Sequence, residues 1–319
     1  MPTQPPVRIG ARGSKLSRAQ AGQMQRRIAA ALGADPADAE RVAPLVIITT
    51  TGDRVQDRRL LEIGGKGMFT KEIEEALLDG RIDCAIHSLK DMPVLSPPGL
   101  CIAAIPERED PRDAFLSPRA ARLEDLARGA VLGTASLRRQ AQALHRRPDL
   151  NVQMLRGNVD TRIAKLAAGE ADAILLAAAG LIRLGLGHLP QSFLDPEDFP
   201  PAPGQGALAV QTREADRGAA WLAALHDAPT ALSVAAERGA LSALEGSCRT
   251  AIGAYARLID GRMKLIVEAL SPDGRLRFRR QADIDLAAAA DPDRAAHDLG
   301  YALGAAIQAE AGDAIALAD

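Results

Sequence analysis

Short β-branched or apolar runs alternate with helical stretches through the first two thirds of this chain, and no other feature constrains its fold as tightly. Val7-Arg8-Ile9-Gly10 reads as a strand. Leu16 to Leu32 follows as a helix, with Leu16, Met24 and Ile28 on one side. Val42 to Thr50 is β-branched and strand-like. Thr70 can cap a helix that runs to Leu78 and stops at Gly80. Ile82-Asp83-Cys84-Ala85-Ile86 is then a buried strand. Strand, helix, strand in this order predicts a largely parallel sheet with helices on its faces.

A charged, proline-marked break, Ile105-Pro106 to Asp110-Pro111-Arg112, interrupts the pattern before it restarts. Val131-Leu132-Gly133 is a strand, Ser136 to Arg147 a helix stopped by Pro148, and Val152 to Leu155 a strand. A helix through Lys165 to Gly169 and the strand Ala173 to Leu176 follow. A second break, Phe199 to Gly206, precedes the strand Ala207 to Thr212. Two breaks around a complete α/β unit predict an inserted domain and a two-segment hinge. The last third differs. Thr230 to Leu244 is helical, Ile252 to Ile259 and Met263 to Leu270 are strands joined at Asp260-Gly261, and Ser271 to Gly274 is a further turn before a third strand from Arg275. Asp291-Pro292 opens an alanine-rich helix, with proline at its first position. The expected class is therefore α/β: two βαβ domains joined by a hinge, plus a small α+β domain with a three-stranded antiparallel sheet. The expected boundaries are 1–106 with 207–227, 112–200, and 229–319.

A chain of 319 residues exceeds what one core usually organises, in keeping with this division. Net charge is −2 and aromatic residues are 3%, so neither a global field nor a stacking platform directs the chain to nucleic acid. No run approaches the roughly 18 apolar residues of a membrane span, and the first residues lack the apolar run of a signal peptide. Three cysteines make no disulfide framework, which points to a reducing, cytoplasmic compartment. The five histidines are scattered and no zinc-type spacing occurs, so no metal is expected. The expected partner is a small molecule and the expected assembly a monomer.

Candidate chemistry collects in loops. Arg12-Gly13-Ser14-Lys15, Gly64-Gly65-Lys66-Gly67, Thr134 to Arg139, and Arg156-Gly157-Asn158 with Arg162 each stand before a helix. Helix N-termini offer free N–H groups and partial positive charge, and arginine adds a fork matched to carboxylates. Each loop alone reads first as an ordinary cap with solvated cations. Together, at strand C-terminal ends, they describe a site for a polyanion. Gly64-Gly65-Lys66-Gly67 lacks P-loop spacing. His87-Ser88-Leu89-Lys90-Asp91 follows a strand directly. Asp91 there can stabilise a cation developing on a bound substrate, or be half of a surface Lys-Asp pair. His87 reads as a structural hydrogen-bonder, and Cys84 and Cys101 as packing residues. Cys248, in Glu245-Gly246-Ser247-Cys248-Arg249, is an accessible thiol beside a cation, either a spare loop cysteine or a reactive one.

Taken together, these segments resemble the porphobilinogen deaminase family. The resemblance is carried by Arg12-Gly13-Ser14, Gly64 to Phe69, His87 to Pro93, Glu107 to Asp113, Gly133 to Gln140, Leu155 to Asn158, Ala179 to Gly185 and Pro203 to Gly206, in family order over nearly the whole chain. It implies three domains, two of them like the lobes of periplasmic binding proteins. It also implies an enzyme that joins four porphobilinogen units head to tail and releases ammonia at each step. The growing chain hangs from a dipyrromethane cofactor bound through a thioether. Cys248 matches the attachment cysteine and Asp91 the catalytic aspartate. Arg12, Ser14, Lys90, Thr134, Ser136, Arg138, Arg139, Arg156, Arg162 and Arg183 match positions that contact cofactor or substrate. Lys66, Gly157 and Asn158 join them from the matching strings. Ser247, Arg249 and Thr250 depart from the family pattern around the cysteine, and Gly13 and Lys15 from that of the first loop.

Two other readings fit parts of the chain. A two-lobed binding protein for a small carboxylate would share the hinge and cleft but has no use for Cys248 or the last domain. A cysteine hydrolase would need a histidine in a motif-like context, which only His87 offers, and has no use for the arginines.

Overall fold

The computed structural model describes residues 5–54, 69–244 and 250–315. It divides into two compact units, Met1–Glu109 with Ala207–Ala231, and Asp110–Gly206 with Leu232–Asp319.

The first unit is built on a five-stranded sheet in the order β2-β1-β3-β10-β4, where β1 is Ile9–Arg12, β2 Leu45–Ile48, β3 Cys84–Ser88, β4 Leu100–Ala104 and β10 Leu208–Arg213. β1 runs parallel to β2 and β3, as the alternation predicts. β10 lies antiparallel between β3 and β4. It is the returning segment rather than the far end of a helical crossover, so nothing forces it parallel. Helix α1 (Lys15–Ala31) follows β1. Its buried Ala21, Met24 and Ile28 pack with Ile9 and Ala11 of β1, the one-sided stripe of a helix laid on a sheet. Helix α2 (Lys71–Leu78) covers the other face through Ile73, Ala76 and Leu77.

Two local expectations are corrected. Thr70 occupies the cap position of α2, but its side chain makes no capping bond. Ala39–Val42 is a helical turn, and the strand begins only at Leu45. Pro44, which has no N–H to give a ladder, separates them.

The second unit contains two sheets. One has the order β7-β6-β8-β5-β9, with β5 at Asp113–Leu116, β6 at Val131–Gly133, β7 at Asn151–Gln153, β8 at Ala173–Ala177 and β9 at Ser192–Phe193. β6 is parallel to β7 and β8, while β5 is antiparallel to β8 and β9. Successive residues of β8 point to opposite faces. Leu175 packs with Phe115 and Leu132 on one side, and Ile174 and Leu176 with Leu155 and Leu181 on the other. Helices α3 (Leu137–Arg146), α4 (Val159–Ala167) and α5 (Ala178–Arg183) follow β6, β7 and β8.

The other sheet is the expected antiparallel meander: β11 (Ala251–Ile259), β12 (Arg262–Leu270) and β13 (Arg277–Asp285). Asp260 and Gly261 form its two-residue turn, with φ of 48° and 79°. Positive φ at both central positions is the mirror-image turn that matches strand twist. Met263, Leu265, Val267 and Ala269 of β12 share a core with helices α6 (Ala228–Ala243) and α7 (Pro292–Ala311). Pro292 starts α7, and the Asp291 side chain accepts from Arg294 N–H at 3.0 Å.

Candidate active site

In the first unit the parallel strands β1 and β3 end on one edge, so Arg12 and Ser14 meet Ser88 and Asp91 there. They border a cavity of about 70 Å³ together with Gln20 and His87. Ser14 caps α1, its Oγ accepting from Ser17 N–H at 3.3 Å. Gln20, buried on α1, donates to Ser88 Oγ at 3.0 Å. Asp91 ends a short 3-10 turn, Leu89–Asp91, and is exposed, while Lys90 is half-buried.

Arg12 does not point freely into this space. Its Nη2 donates to Asp53 Oδ1 at 2.5 Å, its Nε to the same oxygen at 3.1 Å, and its guanidinium lies 4.0 Å from the centre of the Phe69 ring. Burial works to raise the Asp53 carboxyl, but bonds from Arg12 and Thr50 outweigh it and hold the group below its usual range.

His87 is buried beneath the cavity. Gln211 on β10 gives its amide N–H to Glu74 Oε1 at 3.3 Å, so its Oε1 is the atom that faces His87 Nε2 at 3.1 Å. Burial drives the imidazole down to about 4, with the bond to Gln211 opposing and the charge of Arg12 adding. The ring is neutral at neutral pH.

In the second unit the ends of β6, β7 and β8 likewise share an edge. Ser136 caps α3, accepting from Arg139 N–H at 3.4 Å, and Thr134 Oγ1 accepts from Ser136 N–H at 3.1 Å. Arg156 follows β7. Gly157, at φ 121°, makes the bend that a side chain would resist, and Asn158 begins α4 without a side-chain cap bond. Arg162 Nε donates to Gly157 O at 2.8 Å, and Arg183 Nη2 to Gly206 O at 2.7 Å.

Arg138 and Arg139 turn inward from this edge. Both guanidinium groups reach Asp113 at 2.7 Å, and Gln205 adds a donor to the same carboxylate at 2.9 Å. Arg138 Nη1 also donates to Gln142 Oε1, and Gln142 Nε2 to Glu268 Oε1 of β12, both at 2.9 Å. The guanidinium nitrogens Arg138 Nε and Arg156 Nη1 are buried with no hydrogen-bond partner among the described residues.

Lys66 and Cys248 lie outside the described residues. Sequence reasoning missed Gln20, Asp53, Gln211 and the role of Asp113. Asp113 stood only inside a matching string, and Gln20 sits on a helix face that otherwise reads as core.

In each unit, cations and a helix N-terminus stand at strand ends, the donors that a carboxylate-bearing ligand needs, and in the first an exposed aspartate stands beside them. Comparison with known proteins narrows this class. The family model described as "Porphobilinogen deaminase, dipyromethane cofactor binding domain" matches residues 7–220, and that described as "Porphobilinogen deaminase, C-terminal domain" matches residues 231–309. The porphobilinogen deaminase of Phenylobacterium zucineum (strain HLK1) is 72% identical, over 99% of this chain and 100% of that protein. That of Caulobacter vibrioides (strain NA1000 / CB15N) is 67% identical, over 99% of each. Among solved structures, an arginine-specific periplasmic binding protein of Salmonella typhimurium aligns with 70% of this chain and 92% of its own, at 10% identity and a TM-score of 0.37. The chain belongs to the porphobilinogen deaminase family.

Proposed function

We propose that this chain condenses four porphobilinogen molecules head to tail into hydroxymethylbilane, releasing ammonia at each joining, with Asp91 stabilising the cation that forms and Cys248 holding the growing chain. The observation that carries the assignment is the position of Asp91. It stands at the end of β3, on the small cavity that Arg12 and Ser14 also border. We read the chain as a monomer, and its sparse cysteines as those of a reducing, cytoplasmic compartment. No helix among the described residues is long and apolar enough to cross a membrane. Its working parts are 1–106 with 207–227, 112–200, and 229–319.

The family's dipyrromethane, when bound, supplies a covalently held primer whose acetate and propionate arms are all anionic. The residues of the second unit suit such a group. Arg138 Nε and Arg156 Nη1 are buried donors without acceptors, a cost of about 1–3 kcal/mol each unless a ligand supplies the acceptor. Ser136, Arg156, Asn158, Arg162 and Arg183 would hold its carboxylates, and Cys248 would anchor it. Thr134 and Gly157 shape the two loops that present these groups. Arg138 and Arg139 fix the start of α3 through Asp113. In the first unit Arg12, Ser14 and Lys90 surround the reacting substrate, and Lys66 adds a cation.

Asp91 acts on charge that exists mainly in the transition state, so its contribution appears in turnover more than in binding. Removing a preorganised electrostatic group costs about 10²–10³ in rate. Asp91→Asn should bind porphobilinogen yet lose at least that much in single-turnover elongation followed by mass, and Asp91→Glu should lose less. Elongation by Asp91→Asn at the wild-type rate overturns the assignment.

A further inference from the structure

We infer that His87 Nδ1 is a hydrogen-bond acceptor for the aminomethyl nitrogen of the substrate, making the cavity beside Asp91 a pocket for the leaving group. This rests on the assignment of the reaction given above.

Three observations meet in this pocket. First, the tautomer is fixed. The Glu74 carboxylate orients Gln211, whose carbonyl oxygen at 3.1 Å then demands the proton on Nε2. Nδ1 is left with its lone pair. Second, that lone pair is available. His87 makes no other hydrogen bond among the described residues, and it is one of the residues that line the cavity, with only 6% of the residue exposed. The neutral form persists because burial and the nearby Arg12 both oppose protonation. Third, Asp91 lines the cavity with His87, so a carboxylate stands beside the imidazole, and the guanidinium that also lines it, Arg12, is held by Asp53 at 2.5 Å.

About 70 Å³ accommodates an ammonium-sized group, which has three N–H donors to give. In the reaction the C–N bond of that group breaks, the electron pair stays on nitrogen, and ammonia departs with its three N–H bonds. The positive charge remains on the methylene-pyrrole. The bond to His87 is strongest while the nitrogen is still charged. While the C–N bond is only part broken the nitrogen keeps most of that charge, so His87 holds the bound substrate and the transition state alike, and its loss belongs in KM rather than kcat.

The test uses the holoenzyme labelled with ¹⁵N-histidine. The His87 signals are identified by elimination, as those that persist when His145, His188, His226 and His297 are each replaced by Gln. Two-bond ¹H–¹⁵N spectra near neutral pH should show a protonated Nε2 and a bare Nδ1, and the Nδ1 signal should move when ammonium ion or porphobilinogen is added. In Gln211→Leu the single tautomer should be lost. By kinetics, His87→Gln keeps a group near Gln211 and removes the Nδ1 acceptor, so KM should rise about tenfold or more with kcat little changed. His87→Asn places an amide oxygen near the Nδ1 position and should recover part of that loss. A protonated Nδ1, or a bare Nδ1 that neither ligand moves, overturns the inference even if the variants fail to fold. Wild-type KM in a folded His87→Gln does the same. If Asp91→Asn still loses turnover in that case, only the role of His87 falls. If Asp91→Asn is also fully active, the reading beneath it falls.

Discussion

Asp113 and Arg138 are paired at 2.7 Å with both side chains out of solvent, the carboxylate fully and the arginine 5% exposed. Such a pair is rarely a net source of stability, because desolvation offsets its attraction. Its consequence is positional. Asp113 opens β5, Arg138 and Arg139 lie in the first turn of α3, and Gln142 carries the link on to Glu268 of β12. The helix that bears Ser136 is thereby fixed at its start to both sheets of its unit.

Removing Asp113 leaves two buried guanidinium groups facing each other without a counter-charge. Breaking a buried pair from one side costs about 3–5 kcal/mol. Asp113→Ala should therefore lower the urea midpoint by that equivalent and reduce occupancy of Cys248 by the cofactor. A midpoint within experimental error of wild type would show that the network does not hold the helix.

The same carboxylate sets an acid limit. Burial acts to raise its pKa, but Arg138 and Arg139 outweigh burial and hold it far below the ordinary carboxylate range. Its folded value lies under its unfolded value of about 3.9. The stabilisation is therefore fully present above about pH 4 and is lost progressively as pH falls below it. Urea midpoints measured downward from neutral pH should drop steeply in this window for the wild type and less so for Asp113→Asn. Parallel curves would assign the acid limit to other groups.

How much of this was legible in the chain depends on distance along it. Arg12, Ser14 and Asp91 could be placed because strand ends in a βαβ pattern share an edge, and in the structure they line one cavity. The antiparallel strands β5 and β9 escaped notice. They are four and two residues long, and β5 begins with a charged residue that makes sense only once Arg138 and Arg139 are beside it. The environment of His87 was equally hidden, since its partner Gln211 lies 124 residues away on the returning strand. A buried glutamine in a strand carries no local signal of what it faces.

The covalent anchor has a direct readout. The denatured protein should exceed its sequence mass by two linked pyrrole units, and Cys248→Ser should not. Wild-type protein of unmodified mass, from a host that makes porphobilinogen, would remove Cys248 from the reaction.

Arg156 separates ligand binding from folding. Its Nη1 is buried without an acceptor, directly after β7 and before the bend at Gly157. If a cofactor carboxylate completes it, Arg156→Leu removes one side of a desolvated charge pair, worth about 2–5 kcal/mol to binding. The fold loses no hydrogen bond from Nη1, and an unsatisfied buried donor disappears, so thermal stability of the cofactor-free protein should hold or rise. Arg156→Lys keeps the charge but loses the planar fork, so it should load partially. Intact mass gives the loaded fraction for each variant, and calorimetry of the Cys248→Ser background gives the fold term alone. Full loading of Arg156→Leu together with a clear fall in melting temperature would make Arg156 a structural residue and leave the carboxylates to Arg162 and Arg183.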